Sequence, residues 1–197
     1  MHDVLLISYF EGKPNWEKGE TIPFLTEEDL KNAERYVFEQ DKLAHLVSAY
    51  FKRKYVGAWE ISESGKPVKD GEHFNASHCE DVVVFVRADE AVGIDVEKIK
   101  PMEDDVKRYV CSDEEYAFLH SDKDFFSIWT AKESLVKAQG KGLNVHPKRI
   151  PAFPLVGEKA YEGEEYYVNE VEINDAVISV ARKGKDPFTV KIIKENI

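Results

Sequence analysis

The stretch Ala91-Val92-Gly93-Ile94-Asp95-Val96-Glu97 limits this chain more than any other. On a strand, alternate residues share a face, so Ile94 and Val96 point one way and Asp95 and Glu97 the other. Further along, Trp129-Thr130-Ala131-Lys132-Glu133-Ser134-Leu135-Val136-Lys137 reads as a helix closed by Gly140-Lys141-Gly142-Leu143. Residues four apart share a helix face, so Trp129, Glu133 and Lys137 form one stripe. Where that stripe meets the strand end, three carboxylates and an ammonium converge. Like charges at close range raise one another's pKa, so such a cluster calls for a cation. Carboxylate oxygens with few protein ligands suit Mg²⁺, completed by phosphate oxygens. The residues thus predict a Mg²⁺-phosphate site.

A chain of 197 residues, 43% of them apolar, has material for one domain or two small ones. Its net charge of −11 argues against a general nucleic-acid binder and a polybasic membrane binder. Met1-His2-Asp3-Val4 lacks the basic region and long apolar run of a signal peptide, and the longest apolar runs, such as Val82 to Val86, are strand-sized. Cys79 and Cys111 have neither framework nor zinc spacing and read as reduced thiols. These features predict a cytoplasmic protein with no membrane partner.

Val4 to Phe10 reads as an opening strand. Thr26-Glu27-Glu28-Asp29 opens a helix whose apolar positions recur at Leu30, Ala33, Val37 and Phe38, and a second helix follows Asp41. Ser62 to Pro67 is a turn. Val82–Val86 and the strand bearing Asp95, joined by a short polar turn, predict an antiparallel hairpin. Helices are expected over Glu103–Val110, after a Ser112–Glu115 capping box, and from about Lys123 to Gln139. Four β-prone segments follow, around Phe153-Pro154-Leu155, Tyr166–Val168, Ala176–Val180 and Phe188–Ile192. Helices and strands in segregated blocks indicate α+β with largely antiparallel sheet.

Taken singly, these signals have ordinary explanations. An acidic chain produces carboxylate pairs by chance, and Trp129 to Lys137 also suits an exposed, salt-bridged helix with one packed indole. Against this, a carboxylate on Trp129's stripe lies near the core boundary, where it needs a partner. Ser77, His78 and Lys66 offer phosphate donors. His73, His78, Cys79 and Cys111 have no spacing that favours zinc.

Gly65-Lys66-Pro67, Phe74-Asn75-Ala76-Ser77-His78, Gly93-Ile94-Asp95-Val96-Glu97-Lys98, Trp129 to Lys137 and Gly140 to Leu143 occur in an order and spacing similar to those of the 4′-phosphopantetheinyl transferase superfamily, of the monomeric surfactin-synthetase-activating type. The resemblance implies a pseudo-dimer of two similar α+β halves, residues 1–100 and 101–197. Each would be a mainly antiparallel sheet packed with helices, with coenzyme A and Mg²⁺ in the cleft between. Asp95, Glu97 and Glu133 resemble the metal ligands, with Asp95 also facing the cofactor. Lys66 and Pro67 resemble the adenine-nucleotide pocket, Ser77 and His78 the phosphate contacts, with His78 at the 3′-phosphate, and Lys137 the pyrophosphate lysine. The family's arginine near the start of the second helix is missing; Lys42 is the expected substitute, Ala44 the other match in register, and Lys31 and Arg35 are further candidates. A lysine there keeps the charge but loses the bidentate fork.

The implied reaction moves phosphopantetheine from coenzyme A to a serine of an apo acyl or peptidyl carrier protein and releases adenosine 3′,5′-bisphosphate. Glu133 is the candidate base, directly or through a metal-bound water. The segment after Gly142 resembles the carrier-docking region. Because carriers are typically acidic, Lys141, Lys148 and Arg149 are its expected basic contribution. Two other classes fit less well: a Mg²⁺-dependent hydrolase of another phosphoanhydride, which lacks a Walker-type glycine loop here, and a non-catalytic module binding coenzyme A or a carrier.

Overall fold

Period-two apolar patterning builds two sheets, and two long helices cover their outer faces. The structure, a computed structural model, describes residues 3–16, 22–62, 65–140, 142 and 145–197. The first sheet contains β1 (Asp3–Glu11), β4 (His73–Cys79), β5 (Val82–Ala88) and β10 (Phe188–Lys194), in the order β10-β1-β5-β4. The second contains β6 (Val92–Lys98), β7 (Gly157–Tyr161), β8 (Glu164–Ile173) and β9 (Ala176–Lys183), in the order β6-β9-β8-β7. Between β1 and β4 lie the helices α1 (Glu27–Ala33) and α2 (Glu39–Tyr55) and a small ribbon of β2 (Glu60–Ile61) and β3 (Pro67–Val68). Between β6 and β7 lie α3 (Asp104–Val110), α4 (Asp113–Phe118) and α5 (Asp122–Gln139).

Three cores follow from the alternation. Val82, Val84 and Val86 of β5 meet Ile94, Val96, Ile178 and Val180 where the sheets face each other. The opposite parity, Val83 and Phe85, packs under Val47 and Phe51 of α2. On the far side, Ile128, Leu135 and Val136 of α5 cover Val168, Val177 and Ala181. The layers are therefore α2, first sheet, second sheet and α5. Ser112 caps α4 and Ser121 caps α5, each within a capping box, and Gly140 ends α5 in the left-handed conformation at φ 78°.

The α+β expectation holds, with mainly antiparallel pairing; β1 and β10 form the one parallel pair among the described strands. Other expectations are corrected. Val82–Ala88 and Val92–Lys98 do not form a hairpin: β5 pairs with β1 and β4, and β6 pairs with β9. Val82 to Val86 are buried on both faces and need strands on both sides, so Asp89 to Ala91 cross between layers instead. The helix from Glu27 stops at Ala33, leaving Val37 and Phe38 at 91% and 71% exposure. Phe153-Pro154-Leu155 forms no strand; a cis Phe153–Pro154 bond lies there, and β7 begins at Gly157. The sheets also exchange strands across the expected division at residue 100, since β6 joins the second sheet and β10 the first.

Candidate active site

The edge strands β4 and β6 run alongside each other, and the candidate residues gather on that seam. Asn75 Oδ1 accepts from Ile94 N at 3.0 Å, tying one edge to the other. Gly93 sets the distance to α5. A Cβ there would lie 2.1 Å from Ser134 O and 2.3 Å from Ala138 N, so only glycine lets the helix backbone sit directly on β6. Asp95 and Glu97, which share Gly93's face, consequently meet the stripe Trp129, Glu133 and Lys137. That stripe is half-buried, while most of α5 is buried.

Asp95 is 4% exposed. Its Oδ1 accepts from Ser77 Oγ at 2.9 Å and from Lys137 Nζ at 2.6 Å, and Lys137 Nζ also donates to Ser77 Oγ at 2.8 Å. Lys66 Nζ reaches across to Lys137 O at 2.8 Å. Trp129 does more than pack, because its Nε1–H donates to Glu97 Oε1 at 3.3 Å. Burial raises the Glu97 pKa and the Asp95 charge adds to it, against hydrogen bonds from Cys79 and Trp129. The Cys79 thiol is itself pushed up to about 12, chiefly by burial, and stays protonated. Burial and then the Asp95 charge raise Glu133 to about 7, against the pull of Lys137.

Two buried oxygens here have no hydrogen-bond partner, Asp95 Oδ2 and Glu133 Oε1. Among the described residues no group of three or more His, Cys, Asp or Glu side chains is placed to hold a metal ion. Unpartnered carboxylate oxygens on facing elements are nevertheless the donor set a hydrated Mg²⁺ takes, since that ion keeps most of its water and accepts one or two carboxylates.

On the other flank, exposed His78 meets a stripe of α2. Partial desolvation by the surrounding atoms lowers the His78 pKa, exposed though the residue is, with Lys137 acting the same way; the α2 groups that bear on it most are Asp41 and Lys52. His45 in turn feels Lys52, Asp29 and His78, and its Nδ1 lies 3.4 Å from Tyr36 Oη. Burial pushes Lys52 down to about 8, with its ammonium 5.1 Å from the Trp59 ring centroid. Lys42 is half-buried on α2, one residue off this stripe, and Lys31 and Arg35 are exposed on and just beyond α1. Lys52, a cation, and His45, whose lowered pKa favours the neutral ring, are therefore the polar groups that sequence reasoning missed; the spacing 41, 45, 48, 52 on one helix face was the available signal. Pro67 lines two cavities at this end of the seam, one of about 310 Å³ with Lys66 and Gly140 and one of about 170 Å³ with Lys52. Lys148 and Arg149 are exposed, in a short 3₁₀ turn after the site helix. Lys141 and Leu143 lie outside the described residues.

Residues 91–181, which include β6, α5 and most of the second sheet, match the 4′-phosphopantetheinyl transferase superfamily. Likeness to individual proteins points the same way. A 4′-phosphopantetheinyl transferase, gsp, of Aneurinibacillus migulanus is 33% identical over 56% of this chain and 54% of that protein. The 4′-phosphopantetheinyl transferase Sfp of Bacillus subtilis is 28% identical over 66% of each. HetI, a 4′-phosphopantetheinyl transferase of a Nostoc species, is 27% identical over 89% of this chain and 86% of that protein. The chain spans between 42% and 66% of the length of the Bacillus-type transferases it matches. The superfamily segment contains Asp95, Glu97, Glu133 and Lys137, while Lys66, Ser77 and His78 lie before it. No helix among the described residues is long and apolar enough to cross a membrane.

Proposed function

We propose that this chain transfers the 4′-phosphopantetheine group of coenzyme A to a serine hydroxyl of an apo acyl or peptidyl carrier protein. The serine Oγ forms a bond to the phosphorus bearing the pantetheine arm, the phosphoanhydride P–O bond breaks, and adenosine 3′,5′-bisphosphate leaves. The observation that carries this reading is the meeting of Asp95, Ser77 and Lys137 beside the unpartnered oxygens of Asp95 and Glu133.

Lys137 lies where an ammonium can trade its contact with Asp95 for a pyrophosphate oxygen. Ser77 Oγ and His78 add donors on the β4 side, and Lys66 holds the end of α5 from the nucleotide side. Asp95, Glu97 and Glu133 would hold Mg²⁺; when bound, that ion neutralises the charge that develops on the phosphoanhydride. With a pKa near 7, Glu133 is suited to accept the serine proton. Trp129 and Cys79 orient Glu97 by donating to it. An acidic carrier approaching a chain of charge −11 needs a locally basic landing, which exposed Lys148 and Arg149 provide. The reading places a monomer in the cytoplasm, where coenzyme A and reduced Cys79 and Cys111 are compatible.

Mass spectrometry of a panel of apo carriers incubated with the protein, Mg²⁺ and coenzyme A tests the reading. A phosphopantetheine mass on the carrier serine is expected, and Asp95→Asn and Glu133→Gln should each lower kcat by about 10²–10³-fold. An unmodified panel together with consumption of ATP in a parallel incubation would replace the transferase with a nucleotide hydrolase.

A further inference from the structure

β4 and β6 are edge strands of different sheets and share no main-chain ladder among the described residues. Their side-chain contacts nevertheless climb both strands together. Asn75 Oδ1 accepts from Ile94 N at 3.0 Å, Ser77 Oγ donates to Asp95 Oδ1 at 2.9 Å, and Cys79 Sγ accepts from Lys98 N at 3.5 Å. Asn75, Ser77 and Cys79 alternate along β4, on the side opposite Phe74 and Ala76, which pack under α2. On β6 the amides of Ile94 and Lys98 have the parity that faces away from β9, its ladder partner. Asn75 and Cys79 thus stand in for a missing neighbour strand. Ile94 is fully buried, so its amide needs the acceptor that Asn75 supplies.

A second asparagine joins the same two sheets at β10, the other edge of the first sheet. Asn169 Nδ2 of β8 donates to Phe188 O of β10 at 2.9 Å. Between these two pins the layers meet through apolar side chains such as Val84, Val86, Ile94 and Ile178. Apolar contact is non-directional: it resists separation of the layers and does little to stop one sliding over the other. Directional contacts set the register, and at the Asn75 pin the register matters for chemistry. Ser77 lies two residues beyond Asn75, and Asp95 one beyond Ile94. A displacement on the order of 1 Å along the seam would pull Ser77 Oγ out of its contacts with Asp95 and Lys137, and misplacements of that size are costly to a reaction.

Resting on the transferase reading above, we propose that Asn75 is a positioning residue for the transfer: its side-chain acceptor locks β4 in register on β6 and so holds Ser77 between Asp95 and Lys137. Asn169 is a pin of the same kind between the same sheets, at a margin that carries none of the site residues. The pair therefore separates holding the sandwich together from aligning the site.

Two measurements on the same variants test this. Asn75→Leu removes the acceptor and keeps the bulk, Asn75→Ala removes both, and either decides the matter if the other fails to fold; Asn75→Asp keeps an acceptor. Hydrogen exchange at the Ile94 amide, followed by NMR without ligands, should quicken by about fivefold or more in Asn75→Leu and stay near the wild-type rate in Asn75→Asp. Carrier loading is then measured with Mg²⁺ and coenzyme A at a temperature where circular dichroism shows every variant folded. There kcat should fall by about tenfold in Asn75→Leu while the KM for carrier changes by less than about twofold. Asn169→Leu should lower the melting temperature to a similar extent and leave kcat within about twofold of wild type. Unchanged exchange at Ile94, an unchanged kcat in Asn75→Leu, or equal kcat losses in the two leucine variants would overturn the assignment and leave the transferase standing. Wild-type protein that loads no carrier removes the transferase reading and the positioning role together, while the exchange rates still report whether the pin exists.

Discussion

At Gly93 the backbone of α5 leaves no room for a methyl group: a Cβ would meet main-chain atoms of Ser134 and Ala138 at 2.1 and 2.3 Å. Neither atom belongs to a side chain that could swing away, so Gly93→Ala requires the helix to lift from the strand. The expected cost is about 3 kcal/mol or more, read as a lower denaturant midpoint, with loss of transfer activity because Glu133 and Lys137 move with the helix. This contact explains what was legible at single residues. Periodicity put Asp95 and Glu97 on one strand face and Glu133 and Lys137 on one helix stripe, because strands and helices place side chains at fixed intervals, and the family resemblance singled them out. The closeness of the two elements depends on a missing side chain, whose meaning appears only in three dimensions. Lys52 escaped for a related reason: as part of Lys52-Arg53-Lys54 it looks like ordinary charge at a helix end, and only packing buries it.

Between elements, buried lysines do work that the sequence presents as surface charge. Lys132, beside Glu133, is fully buried and uses all three ammonium donors: Glu115 Oε2 at 2.6 Å, Pro147 O at 2.9 Å and Val110 O at 3.1 Å. Glu115 in turn accepts from Ser112 N and Ala152 N, so α3, α4, α5 and the chain leading to β7 are joined at one point. Lys132→Met strands a buried carboxylate and should cost about 3–5 kcal/mol. Adding Glu115→Leu should restore only part of this in a double-mutant cycle, because the carbonyls and N–H groups still lack partners. Lys159 of β7 clamps the same segment by donating to the carbonyls of Ala152 and Pro154. Burial pushes its pKa from 10.5 down to about 8. Between those values the unfolded chain binds a proton that the folded protein does not, so this lysine makes stability rise with pH across that window. Melting curves should show the rise between pH 8 and 10.5 in the wild type and a flatter profile in Lys159→Met. Capping boxes and helix spans were legible because their signals are local. These cross-element clamps were not, since nothing within a few residues marks a lysine as buried.

For the whole molecule, the misleading clue was proximity in sequence. Val82–Ala88 and Val92–Lys98 suggested a hairpin because only a short turn separates them, yet they belong to different sheets. Which strands pair is decided by how many buried faces each must cover, and a single strand's pattern does not carry that information. The clearest long-range pairing is β10 beside β1, supported by Glu195 N donating to Tyr9 O at 2.8 Å and by the Lys54–Glu195 ion pair at 2.7 Å. Deleting residues 187–197 should leave β1 as an open edge, lower the melting temperature and promote aggregation, checked by calorimetry and light scattering. The same pairing sets a timetable for synthesis. β1 leaves the ribosome well before its outer neighbour β10 is made. The second sheet likewise draws β6 from the middle of the chain and β7 to β9 from well after it. A nascent chain halted before β8 and β9 therefore holds most of the catalytic side chains without the lattice that aligns them, so catalytic competence waits on the late strands.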